Sequence, residues 1–264
     1  MNTYPLWNEK APGAETEVPR IDHYSPEKKR GNAAVLIFPG GAYAMRAPYE
    51  GGDCALFINS LGLEAFVVHY RVKPAKFPDP FLDARRAVRF VRANAEKFGI
   101  DPDRILVLGF SAGGHLAAIT ATYKEALAGE GVDALDAVSA MPNGQILCYP
   151  VISTDDAIIE KYSFTCLLGE DYDKRAAYDA ASLVGTDTPR AFIWHTSEDE
   201  LVDVENSYRY ATALRHHRVP AELHVFPFGR HGLGLAEDAP HVAKWKALLE
   251  NWLALYGDLE EARV

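Results

Sequence analysis

Residues 104–122, "RILVLGFSAGGHLAAITAT", run a strand-length apolar stretch into a segment of small residues with no loop between them. A strand that is apolar on both faces has to be covered on both sides, and helices above and below a parallel sheet are the common solution. The segment from Ser111 to Leu127 is predicted as a helix whose alanines and glycines let it lie close to that strand. One junction thus limits the chain to a layered α/β architecture.

The rest of the sequence keeps the same rhythm. Two more runs carry the buried-strand signature, "NAAVLIFPGG" and "LEAFVVHYRV", and "GQILCYPVI", "RAFIWHT" and "AELHVFPF" read as three further strands. Between and after them lie helical spacings: "GGDCALFINSLG" closed by Gly62, "DPFLDARRAVRFVRANAEKFGI" read as one helix ending at Gly99, "VENSYRYATALRHHR" and "HVAKWKALLENWLALYG". This alternation predicts a three-layer α/β sandwich with a mostly parallel central sheet. Residues 1–30 read as an N-terminal extension with an edge strand near "VPRIDHY", and residues 153–188 as a cap-like insertion of short helices over the carboxyl ends of the strands. With 264 residues, 48% of them apolar, the chain is expected to form a single domain over residues 1–264.

Charge and cysteine content narrow the function. A formal net charge of −10 argues against nucleic acid or an anionic membrane surface as a partner, since both need clustered Lys and Arg. The start "MNTYPLWNEKAPGAE" carries proline, acid and amide where an export signal would need a basic start and an unbroken apolar stretch, and the apolar runs fall short of a membrane span. Cys54, Cys148 and Cys166 are too few for a disulfide framework and lack zinc spacing, so a reducing cytoplasm is expected.

The junction also carries chemistry. In Gly109-Phe110-Ser111-Ala112-Gly113 the serine stands where a strand turns sharply into a helix, and flanking glycines permit the tight packing that lifts its hydroxyl above the sheet. Small-residue pentapeptides and serine helix caps arise for structural reasons too, so partners decide the matter. A serine nucleophile needs a base and donors for the oxyanion. Ala112 N–H at the helix start is one expected donor; "FPGGAY", directly after an earlier strand, offers Gly41 and Ala42 as the others. For the base, His231 is favoured because it stands on an open loop before Gly232 and Gly234. His69, His115, His195, His216, His217, His224 and His241 all occupy ordinary structural positions, with His195 a plausible orienting residue. For the acid, Asp199 and Asp203 compete, with Glu198 and Glu200 as outsiders; Asp203 suits a helix N-cap, whereas Asp199 lies in the loop with no such role and is chosen. Tyr43, Tyr49 and Trp194 fall near this site, and Tyr43 is taken as a candidate substrate contact.

With these residues placed, the chain from about Ala33 onward resembles the α/β-hydrolase serine esterases related to bacterial acetylxylan esterases and xylan-cluster esterases. The resemblance rests on "FPGGAY", "GFSAGGHLAA", "CYPVIS", "LLGE", "HTSEDELVDVENS" and "VPAELHVFPFGRHGLGL", in that order. It implies an α/β-hydrolase fold, and it puts the triad acid of a His-Thr-x-x-Asp-x-x-Val pattern at Asp199. Where many relatives have three glycines, this chain has Gly40-Gly41-Ala42, with Pro39 in place of the leading histidine; the added methyl fits a short acyl group.

The expected activity is removal of short acyl groups, acetyl foremost, from a small ester such as an acetylated oligosaccharide. The sugar preference is what the resemblance implies. No metal or organic cofactor is required. Amide or peptide hydrolysis, including an arylformamidase-like activity, uses the same triad and is the alternative. A non-catalytic binding protein on this scaffold is disfavoured by the presence of all three triad residue types.

Overall fold

The apolar runs become neighbours in one eight-stranded sheet, in a computed structural model that describes residues 1–7, 10–13 and 17–259. In chain order the elements are β1 (Asn2–Pro5), β2 (Arg20–Tyr24), β3 (Ala34–Phe38), α1 (Gly52–Ser60), β4 (Glu64–His69), α2 (Asp79–Ala93), α3 (Ala95–Phe98) and β5 (Ile105–Phe110). They continue with α4 (Ala112–Thr122), β6 (Gly144–Cys148), α5 (Lys161–Leu168), β7 (Ala191–Thr196), α6 (Glu205–His216), β8 (Ala221–Phe226) and α7 (Trp245–Leu255). The strand order is β1-β2-β4-β3-β5-β6-β7-β8, parallel from β4 to β8 and antiparallel at β1 and β2. This is the α/β-hydrolase arrangement expected from the sequence.

Side chains alternate across each strand and divide the interior into two cores. Leu36, Val107 and Ile193 face α2, α4 and α6, meeting Val88, Leu116 and Leu214. Val35, Leu106 and Trp194 face α1 and α7, meeting Cys54, Trp245 and Trp252. Trp194 stacks on Trp245 at 5.3 Å between ring centroids. Full burial of one such large apolar side chain stabilises the fold by roughly 1.5–3 kcal/mol.

Three sequence expectations change. The "VPRIDHY" strand is not the edge: β2 pairs with both β4 and the short β1, which takes the outer position. The predicted helix up to Gly99 is two helices, α2 and α3, broken at Asn94, whose side-chain amide donates to Phe90 O (2.8 Å) in competition with the helical ladder. Helix α4 ends at Thr122, short of Leu127, because Tyr123 turns extended and its carbonyl accepts from Arg85. Among the described residues no helix is long and apolar enough to cross a membrane.

Candidate active site

Four loops leave the carboxyl ends of neighbouring strands on one side of the sheet, where parallel α/β proteins gather their sites. The register of β3 on β5 sets Phe38 opposite Gly109, so the Pro39–Gly41 turn leaves the sheet beside the Ser111 turn. Ser111 holds a backbone of φ 53° and ψ −119°, a conformation that costs energy and survives only when its surroundings enforce it. Those surroundings are three hydrogen bonds: Ser111 N–H to Cys148 O (3.0 Å), Val151 N–H to Ser111 O (3.1 Å) and His115 N–H to Ser111 O (3.1 Å). The flanking glycines are needed for space. A Cβ at Gly109 would fall 2.0 Å from Gly113 O, and one at Gly113 would fall 2.1 Å from Phe38 O.

Ser111 Oγ lies 2.8 Å from His231 Nε2, and His231 Nδ1 lies 2.6 Å from Asp199 Oδ2. The carboxylate only accepts, so Nδ1 carries the proton and Nε2 is free to accept from the serine hydroxyl. Asp199 Oδ1 accepts the Leu201 and Val202 amides at 3.0 and 2.9 Å. Burial alone would push the Asp199 carboxyl up; hydrogen bonds from His195, His231 and Val202 N–H, with the charge of His231, overcome it and hold the group well below the usual range. Asp203 stands apart from this chain of contacts, its Oδ1 accepting Glu205 N–H (2.8 Å) at the start of α6.

Ser111 and His231 face a cavity of about 510 Å³, within the range of small-molecule sites, with Asp199 behind the histidine. Gly41 and Ala42, with φ of 125° and 56°, form one wall beside Ser111, and Ala112 opens α4 directly behind it. Met45, Tyr49, Tyr162 and Leu201 line the cavity, and all four are exposed large apolar side chains. A shallower depression of about 730 Å³ along Ser197–Glu200 and Gly229–Arg230 shares Leu201 and His231 with it.

Two of the aromatic residues expected near substrate are not on the cavity. Tyr43 is 1% exposed and its hydroxyl donates to His115 Nδ1 (2.8 Å), because its own positive φ of 55° directs the ring into the core. Trp194 is fully buried in the stack with Trp245. One residue passed over in the sequence does line the cavity: Glu50, 2% exposed, in a short turn before α1. A lone acid before two glycines has no sequence signature; only the fold reveals its burial. Among the described residues no group of His, Cys, Asp and Glu side chains forms a metal site.

A family model described as BD-FAE matches residues 21–214. The chain belongs to the BD-FAE family. The BD-FAE match includes Gly41, Ser111 and Asp199, and stops before the loop that carries His231. Two curated relatives resemble this BD-FAE chain over most of its length: an endo-1,4-beta-xylanase B of Butyrivibrio fibrisolvens, 34% identical over 88% of the chain, and an acetylxylan esterase of Xylanibacter ruminicola, 32% identical over 87%. The chain spans only 38% and 47% of those two proteins. An acetyl ester-xyloside bifunctional hydrolase from Caldicellulosiruptor lactoaceticus superposes with a TM-score of 0.91 at 42% identity, covering 98% of this chain and 97% of its own.

Proposed function

We propose that the chain is a serine carboxylesterase that removes short acyl groups, acetyl foremost, from hydroxyl groups of a carbohydrate. The observation that carries this reading is the unbroken run of hydrogen bonds from Ser111 through His231 to Asp199 at the wall of a cavity. The named activities of the acetylxylan esterase and the acetyl ester-xyloside hydrolase support the substrate class. The exposed apolar rim at Tyr49 and Tyr162 supports it as well, since aromatic faces pack against the C–H face of a sugar ring.

Ser111 Oγ attacks the ester carbonyl carbon while His231 Nε2 takes its proton, and the imidazolium that forms is stabilised by Asp199. Negative charge moves onto the carbonyl oxygen, where the amides of Ala112 and of Gly41 or Ala42 receive it; one such donor contributes about 3–4 kcal/mol to the transition state. Collapse of the tetrahedral intermediate breaks the bond to the alcohol, which leaves with the proton from His231. Water then attacks the acyl-serine with His231 as base, releasing the carboxylic acid and restoring Ser111. The Ala42 methyl at the cavity wall favours a small acyl group.

The test is a panel of acetylated xylo-oligosaccharides, simple acetates, formyl-amides and peptides, run with wild type and Ser111→Ala. Hydrolysis of the acetylated sugars that Ser111→Ala abolishes is the expected result. Activity retained by Ser111→Ala, or turnover confined to amides, overturns the reading.

A further inference from the structure

We infer that Glu50 is a positioning residue that ties the oxyanion loop to the loop carrying His231, an inference that rests on reading the site as an acyl-transfer centre. Its two carboxylate oxygens serve different parts of the chain. Oε2 accepts the Gly40 N–H at 2.7 Å, in the loop after β3, and Oε1 accepts the Tyr149 hydroxyl at 2.6 Å, just past β6. The Tyr149 hydroxyl in turn accepts the Gly234 N–H at 2.9 Å, three residues beyond His231. The Tyr149 ring meets the His231 ring edge to face at 5.0 Å. A Cβ placed on Gly232 would lie 3.0 Å from the hydroxyl of Tyr49, the residue before Glu50 in the chain. A single carboxylate therefore reaches the segment before Gly41 and, through one tyrosine, the segment after His231.

Burying an acid here is costly, and an apolar side chain would fill the space without that cost. What an apolar side chain lacks is the directional acceptor that fixes Gly40 and orients the Tyr149 hydroxyl. The packing is equally specific, because a Cβ on Gly40 would come 2.7 Å from Oε2 and 3.1 Å from Ser111 Cβ. Burial pushes the Glu50 carboxyl above its ordinary value, and the bonds from Tyr149 and Gly40 only partly offset it. Holding the Gly40–Ala42 loop and the His231 loop in one register matters most when the oxyanion and the His231 base must both be met at once, so it acts on turnover more than on binding.

The experiment compares wild type, Glu50→Gln, Glu50→Ala and Tyr149→Phe on a short-chain nitrophenyl ester, with active sites counted by burst titration. The second readout is inhibition by a simple boronic acid, which forms a tetrahedral anion on a nucleophilic serine. The expected result is a fall in kcat of about 10- to 100-fold with KM nearly unchanged, and boronate affinity falling in step with kcat. Glu50→Gln should retain more activity than Glu50→Ala, because its amide oxygen still accepts one of the two bonds. Tyr149→Phe keeps the ring contacts and carries the test if the Glu50 variants fail to fold. A lower melting temperature with kcat and boronate affinity per active site unchanged overturns the inference and leaves the esterase reading intact. A wild type inert toward both ester and boronate overturns the esterase reading itself.

Discussion

His195 and His231 share one oxygen of Asp199: Oδ2 lies 3.2 Å from His195 Nε2 and 2.6 Å from His231 Nδ1. His195 Nε2 also faces Val202 O at 3.0 Å, and a carbonyl can only accept, so that nitrogen carries a proton and donates to both. Its Nδ1 meets the Ser207 hydroxyl at 2.8 Å, anchoring the ring to α6. His195 thus holds the acid in line from behind.

Replacing His195 by Leu should therefore do two things. It should cost about 1–3 kcal/mol of stability, since Val202 O is left buried without its donor, and lower kcat because Asp199 is free to turn away from His231. Urea unfolding and kcat per titrated site check the two effects; unchanged kcat would reduce His195 to a core residue.

The two candidate acids separate cleanly. Asp199→Asn should lower kcat by about 10⁴-fold, since an amide cannot hold the His231 tautomer in the same way. Asp203→Asn should leave kcat and stability nearly as they are, because asparagine caps a helix as well as aspartate does. Steady-state kinetics of both variants would decide, and the opposite ranking would reassign the acid.

His115 gives a pH dependence of stability. It is fully buried, its Nε2–H donating to Tyr178 O (2.8 Å), and burial pushes the imidazole down from 6.5 to about 4. A group whose folded value is depressed contributes stability that is complete above its unfolded value and is lost as pH falls toward the folded one. The loss should thus develop between pH 6.5 and about 4 and amount to about 3 kcal/mol. Unfolding free energies at pH 7 and 4.5 should differ less in His115→Gln than in wild type; an equal difference would refute the assignment.

Ala42 adopts φ 56°, where a Cβ costs about 1 kcal/mol, and its methyl lies at the cavity wall. Ala42→Gly should hold or raise the melting temperature and extend activity toward longer acyl chains. A nitrophenyl ester series from acetate to octanoate measures the second effect, and an unchanged profile would show that another residue limits the acyl group.

The parts of the fold legible in the sequence were those fixed by local pattern. Strands β3 to β7 are short apolar runs, and a strand buried on both faces can hardly read otherwise; β8, at the other edge, is only partly buried and shows an alternating pattern. β1 escaped because four residues, "NTYP", at an exposed edge need no apolar signature. Ser111, Asp199 and His231 could be picked out because each follows a strand whose position the pattern gives. Tyr43 could not be judged in that way, since nearness to Gly41 in sequence says nothing of where a ring points after a residue of positive φ. Glu50 was hidden for a further reason: its partners Gly40 and Tyr149 lie 10 and 99 residues away, and only the assembled sheet brings both to it.

The cavity draws its walls from unequal sources. Ser111 and His231 hang from the ends of hydrogen-bonded strands, whereas Tyr162 belongs to α5 in the segment between β6 and β7. That segment is seated in the same interior as the strands: Phe164 and Leu167 are buried in the core, and Tyr178 O accepts from His115 on α4. Refitting the cavity to a new guest through α5 is therefore not a free move, since the graft would share its footing with the helix that starts at the serine.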